Sequence, residues 1–141
     1  MTVIGWSMNN HMRTSLCTSA LAMARDHGYL HAEGAVFNSD RGSQYTSSEF
    51  QTWCAGNQIT QSMGKVGVCW DNAVAENFFS HLKTEFYYHQ WYATRLAART
   101  GVMDYIESWC NRQRPNATAG YKTPVAALAA YCTRDQHQLA A

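Results

Sequence analysis

No stretch of the 141 residues reaches the roughly 18 consecutive apolar positions that a membrane-spanning helix requires. The opening segment MTVIGWSMNNHMR lacks the basic region and long apolar core of a secretory leader. Five cysteines (Cys17, Cys54, Cys69, Cys110 and Cys132) are widely spaced, odd in number and without a CxxC pair. That pattern supports neither a zinc module nor a disulfide framework, and it makes a reducing, cytoplasmic compartment the expectation. Charge is scarce as well: the net charge is +1, so a nucleic-acid surface, if there is one, has to be local. No internal repeat or low-complexity linker divides the chain.

What is present is apolar and aromatic material, 46% and 13% of the residues. That is enough for a core and too much for a disordered chain, and the length predicts one domain. VIGWSM (3–8) has the β-branched and aromatic composition of a strand. Residues 14–26, TSLCTSALAMARD, carry Leu16, Ala20, Leu21 and Met23 near helical spacing, with Thr14 as the expected N-cap and His27-Gly28 closing the helix. Ala35-Val36-Phe37 predicts a second strand ending at Asp40. SSEFQTWCAG (47–56) predicts a helix capped by Ser47, with Phe50, Trp53 and Cys54 on one side. Ile59 to Met63 reads as a short strand.

GKVGVCWDN (64–72) has no regular period and reads as a mobile loop. A helix is predicted from Ala73 to about Tyr87, with Phe78, Phe79, Leu82 and Phe86 on its apolar side. Another runs from about Thr94 to Trp109, with Leu96, Val102 or Met103, Ile106 and Trp109 facing inward. NRQRPNATAGYKTP reads as a loop, after which Pro124 starts a short helix through Ala130. Strands alternating with helices, then helices alone, predict an α/β layered domain. Trp91, Tyr92 and Trp109 are expected as packing residues rather than base-stacking platforms. Residues 83–114 hold Lys83, Arg95, Arg99, Arg112 and Arg114 against Glu85, Asp104 and Glu107, a mild basic excess that reads first as a solvated helix face.

Two carboxylates stand out. Asp40 is at a predicted strand end and Glu76 is in the first turn of a predicted helix, with 35 residues between them. In the plain reading Asp40 belongs to a turn and Glu76 favours a helix N-terminus. In the chemical reading the two converge on Mg²⁺, which takes one or two protein carboxylates plus water and phosphate oxygens and can promote phosphoryl transfer in a two-ion arrangement. Lys83, seven residues after Glu76, is then placed to meet a phosphate. Gln61, Ser62 and Lys65 form the opposite rim. Spacing alone leaves both readings open.

The wording of the chain adds to this. NSDRGSQYTS, QITQSM, GVCWDNAVAENFFSHLKTE and NRQRPNATAGYKTP, in that order, resemble the integrase-like core of bacterial insertion-sequence transposases. These are relatives of retroviral integrases with a DDE triad on an RNase H-like fold. The resemblance runs from about Val3 to Tyr131 and implies a partial integrase catalytic core over 1–131 with a C-terminal tail at 132–141. It implies that Asp40 and Glu76 are the second and third triad members, holding Mg²⁺ or Mn²⁺. It also implies that Lys83, Lys65, Gln61 and Arg114 lie near DNA, and that Asp71 has a structural role, capping the helix that follows. Asn111 and Arg114 match the family's late motif, in which Asn116 and Ala117 depart from the pattern.

The family's first aspartate belongs about sixty residues before the second, and position 40 leaves no room for it. The one earlier aspartate, Asp26, matches no motif. VIGWSM resembles the third strand of the fold, so the first two strands and one metal ligand are expected to be missing. The implied activity is DNA transposition by metal-dependent phosphoryl transfer on transposon ends and target DNA. Full-length transposase or further copies of the chain are the protein partners, and no membrane is involved. The 141 residues alone are expected to bind the metal weakly and neither cut nor join DNA. A non-enzymatic product that modulates full-length transposase, an inert remnant, and an RNase H-like nuclease are the alternatives.

Overall fold

The computed structural model describes the chain except for residues 31–33, 64–72 and 140–141, and it describes no side chains at 118 and 134–139. The chain divides into two compact units, Ile4–Glu85 and a second made of Met1–Val3 with Phe86–Ala141. Among the described residues no helix is long and apolar enough to cross a membrane.

The first unit is built on two parallel strands, β1 (Ala35–Ser39) and β2 (Ile59–Met63), paired in register from Ala35 opposite Ile59 to Ser39 opposite Met63. Parallel neighbours need a crossover, and here it is made by α2 (Ser43–Thr46) and α3 (Ser48–Gly56). Ser47 starts α3 as expected: its hydroxyl accepts the Phe50 N–H at 3.2 Å and donates to the Gln44 carbonyl at 2.9 Å. Phe50 and Cys54 then fall on one side, one turn apart, and are fully buried with Ile59. Cys17 and Leu21 of α1 (Thr14–Asp26), together with Phe37, Tyr45 and Trp53, complete this core. Phe37, Tyr45 and Phe50 meet ring to ring at 5.5–5.7 Å.

Among the described residues only one face of the sheet is covered. Val36 is 70% exposed, and Asn38, Thr60 and Ser62, on the same side of the pleat, are exposed too. Parallel strands are ordinarily covered on both faces.

Two expectations for this unit change. VIGWSM is not a strand. Gly5 instead lies so close to α1 that a Cβ there would run into the Ala20 carbonyl oxygen, and the Trp6 N–H donates to the Met23 sulfur at 3.4 Å. A strand needs a neighbour to bond, and among the described residues β1 and β2 pair only with each other. Thr14 is the first helical residue of α1 rather than its cap. Arg13 takes the cap position with no side-chain bond, while the Thr14 hydroxyl lies 3.0 Å from that of Ser47. The predicted loop 64–72 lies outside the described residues.

The helix beginning at Ala73 is α4 (Ala73–His81). It passes into a π-helical turn at Leu82–Phe86 and a 3₁₀ turn at Tyr87–His89. Phe78, Leu82 and Phe86, spaced by four, are half-buried, whereas Phe79 is 55% exposed. Adjacent helical positions point about 100° apart, so Phe78 and Phe79 cannot share a face.

In the second unit α5 (Arg95–Asp104) is capped by Thr94, whose hydroxyl accepts the Ala97 N–H at 3.1 Å. The helix widens into a π turn at Tyr105–Cys110, where the Asn111 N–H reaches the Ile106 carbonyl five residues back at 3.0 Å. The extra residue per turn advances the inward face by one position. Tyr105, Ile106 and Cys110 are buried, while Trp109 and Leu96, expected inside, are 44% and 75% exposed. The last helix, α6 (Pro124–Leu139), runs well past Ala130, because nothing after Pro124 interrupts a stretch rich in Ala and Leu.

Asn111 ties this unit together. Its side-chain amide accepts the Val3 N–H at 3.0 Å and donates to the Val3 carbonyl at 2.8 Å. Its own carbonyl accepts the Val125 N–H at 3.0 Å. The amide thus acts as a one-residue strand partner for the start of the chain. Replacing it strands two polar groups of Val3, each costing about 1–3 kcal/mol where buried. Asn111→Ala is expected to lower stability by about that amount for one such group, read as a reduced urea midpoint at unchanged slope. Asn111→Asp is expected to do no better, since a carboxylate cannot donate to the Val3 carbonyl. Unchanged midpoints for both variants would refute the clamp.

Candidate functional site

Asp40 follows directly on β1, and its position comes from two local facts. Ser39, the last strand residue, points into the covered face and is 9% exposed. The pleat therefore sends Asp40 outward, and it is exposed. Its Oδ1 accepts the Gly42 N–H at 2.9 Å, an Asx turn that fixes the carboxylate and reverses the chain into α2. The plain turn expected of Asp-Arg-Gly-Ser is thus formed, with Asp40 as its acceptor. The Ser39 hydroxyl has no hydrogen-bond partner among the described residues, so it braces no neighbouring polar group.

The turn is held from behind by Tyr45, half-buried between Phe37 and Phe50. Burial, first, pushes the Tyr45 hydroxyl up to about 12; the Cys17 thiol and the charge of Asp40 add to the shift. Burial likewise raises the Cys17 thiol, opposed by a hydrogen bond from Tyr45, and it raises Cys54. Gln61, on β2, donates its side-chain amide to the Tyr45 carbonyl at 3.0 Å. That bond fastens α2 to the sheet, a use that sequence reasoning missed. Only the parallel register, with Gln61 opposite Phe37, brings the two together.

Glu76 lies in the first turn of α4 and is exposed. It belongs to the same unit as Asp40. Lys83 is exposed within the π turn, whose wider winding leaves it short of two full turns from Glu76. His81 and Glu85 pair beside it at 3.2 Å. Ser62 is exposed on the uncovered sheet face. Lys65 and Asp71 lie outside the described residues. Arg114 is half-buried in the other unit, its N–H donating to the Trp109 carbonyl at 2.8 Å. Asp26 ends α1, bound to Arg25 at 2.8 Å.

Among the described residues, no three His, Cys, Asp or Glu side chains form a group able to hold a metal ion. Asp40 and Glu76 by themselves are exposed hard-oxygen donors. They fit an ion such as Mg²⁺ that takes one or two protein carboxylates and completes its shell with water and phosphate.

Two family models, each described as an integrase core domain, match residues 2–69 and 57–124. The chain is 35% identical over 122 residues to the transposase InsF for insertion sequence IS3A of Escherichia coli (strain K12), covering 86% of this chain and 42% of that protein. It is 33% identical over 123 residues to the transposase for insertion sequence element IS904 of Lactococcus lactis subsp. lactis (strain IL1403), covering 86% of this chain and 48% of that one. The chain thus spans less than half the length of these relatives.

The Tyr45 environment gives a pH test. A tyrosine ionises near 10 in the unfolded chain and at about 12 here. Between those values the unfolded state holds fewer protons, so stability falls as pH rises. The stabilisation is complete below about pH 10 and is lost progressively up to about pH 12. Tyr45→Phe is expected to flatten that part of the Tm–pH curve and to remove one phenol's absorbance change near pH 12 from an alkaline ultraviolet titration. An unchanged absorbance change near pH 12 in the variant would contradict the placement.

Proposed function

Because the chain belongs to the integrase-core family of insertion-sequence transposases, we propose that it contributes two of the three carboxylates of a DNA-transposition centre, Asp40 and Glu76. The observation that carries this reading is the exposed Asp40 carboxylate, oriented by the Gly42 N–H at the end of β1, within the same unit as an exposed Glu76. A strand end supported by Phe37, Tyr45 and Phe50 is a rigid mount. Reaction centres need such mounts, because small misplacements of a reacting group are costly.

The family implies dependence on a divalent metal, and the ion proposed here is Mg²⁺ or Mn²⁺. Asp40 and Glu76 would hold it with water and phosphate oxygens. When bound, it supplies charge stabilisation for in-line attack on a phosphodiester by water or a DNA 3′-hydroxyl. The chain's own part is to present the two carboxylates in fixed orientation and to bring a cation, Lys83, near the DNA backbone. Lys65, Gln61 and Arg114 are proposed as further DNA contacts, with Gln61 acting chiefly by tying α2 to β2.

The third carboxylate is assigned to sequence outside these 141 residues, together with the strands that would adjoin β1 and VIGWSM. That assignment fits the exposure of Val36, Asn38, Thr60 and Ser62 on one face of the two-stranded sheet. Transposon ends and target DNA are the proposed substrates, with full-length transposase or further copies of the chain as protein partners. The 141 residues alone are expected to bind the metal weakly and to join no DNA.

The test uses a complete transposase carrying this segment. Asp40→Asn and Glu76→Gln are each expected to cut strand joining by on the order of 10³-fold, the equivalent of several kcal/mol of lost transition-state stabilisation. Binding to transposon-end DNA should persist. A variant that keeps the parental joining rate would falsify its assignment.

A further inference from the structure

The segment Phe86–Tyr92, FYYHQWY, separates its rings into two sets. Phe86 and Tyr92 turn inward. Phe86 packs on Tyr105 at 5.1 Å and on Tyr92 at 6.0 Å. Both lie against Gly101 of α5, where an added Cβ would sit 2.5 Å from the Tyr92 hydroxyl and 3.0 Å from Phe86 Cζ. Tyr87, Tyr88 and Trp91 turn outward and are 64%, 68% and 86% exposed. The Tyr87 and Tyr88 rings are 5.7 Å apart in an edge-to-face pair. Three large rings are thus held out in solvent by two anchored ones, although rings so placed gain nothing from burial.

Charge selects what such a surface would meet. The unit containing it has six Lys and Arg against three Asp and Glu, whereas the unit containing Asp40 and Glu76 has five against seven. The near-neutral total hides a cationic part. Arg95 and Arg99, both exposed, stand four and eight residues after Trp91, at i and i+4 on α5. Flat rings with polar tips, beside arginines on a cationic unit, match single-stranded nucleic acid. Its phosphates are drawn by the cations, and its bases, freed from a duplex, stack on the rings.

We propose that Tyr87, Tyr88 and Trp91 form a stacking platform for unpaired DNA bases, with Arg95 and Arg99 attracting the adjoining phosphates. This site involves none of the carboxylates and does not rest on their assignment. On a transposase it would take bases that open at a DNA end. The expectation that Trp91 packs inside is corrected by its exposure.

The test measures binding of a fluorescently labelled oligothymidylate, and of a duplex of equal length, to the full 141-residue chain by anisotropy across a salt series. Trp91→Ala is expected to weaken oligothymidylate binding roughly tenfold, to change duplex binding much less, and to leave the slope against log salt unaltered. Trp91→Phe, which keeps a ring, should restore most of the loss. Arg95→Ala should lower the single-strand salt slope by about 0.7. Circular dichroism of each variant should match the parent, as expected for side chains already in solvent.

Repeating the titration with divalent metal chelated is the control: it should leave oligothymidylate binding intact, so failure of the carboxylate reading and failure of this one are separable. Unchanged oligothymidylate affinity in Trp91→Ala overturns the platform. So does an equal loss on duplex and single strand. Reduced self-association with unchanged DNA affinity also overturns it, and would mark the rings as a protein interface.

Discussion

Phe50 pressed against Phe37 is the contact on which the placement of Asp40 depends. Phe37 alternates with Ser39 on the covered face of β1, so fixing the phenylalanine fixes the phase of the strand and sends Asp40 to the surface. Phe50 reaches that face because Ser47 caps α3 in the right rotation. Tyr45 fills the space between and carries the Gln61 bond that keeps α2 against β2. A slip of one residue in β1 would bury the carboxylate and expose the phenylalanine. The energetics of a few buried rings, about 1.5–3 kcal/mol each, therefore govern the geometry of a charged side chain that touches none of the deep core.

The second unit solves a different problem. Among the described residues no strand pairs with its first residues, and an unpaired buried peptide is costly. Asn111 meets that need with a side chain shaped like a peptide group, reached from the end of a π turn. The late Asn-x-x-Arg motif therefore divides in function. Its asparagine is a structural clamp facing inward, and its arginine is half-buried after the π turn, its backbone N–H bonded to the Trp109 carbonyl.

The two units also divide the charge. Asp40 and Glu76 are on the acidic one, and Arg95, Arg99 and the exposed rings of Tyr87, Tyr88 and Trp91 are on the basic one. A net charge near zero says little about nucleic-acid binding when it is the sum of opposed parts. The uncovered face at Val36, Asn38, Thr60 and Ser62 has the polar composition of a surface that a further layer can cover without leaving large apolar side chains in water beforehand.

Much of this was legible in the chain. Local signals stated the β1 and β2 limits, the Ser47 cap, the buried side of α3 and the turn at Asp40, because each depends on neighbours a few residues away. The motif order pointed to the family for the same reason, since it is a property of the residues themselves. The structure decided what depends on distant partners or on altered helical winding. VIGWSM has strand composition, yet its bonds go to Met23 and to the Asn111 side chain rather than to β1 or β2. Trp109 lost the inner face to Cys110 because a π turn adds a residue that a 3.6-residue period does not foresee, and Leu96 lies off the stripe of Ala98, Gly101, Val102 and Tyr105 that α5 turns inward. Trp91 stands outside while Phe86 and Tyr92 of the same segment take the places against Gly101. The sequence by itself determined which residues can bear chemistry and which local elements carry them. The tertiary structure alone decided which of those side chains face water, because burial is set by surfaces brought together from far apart along the chain.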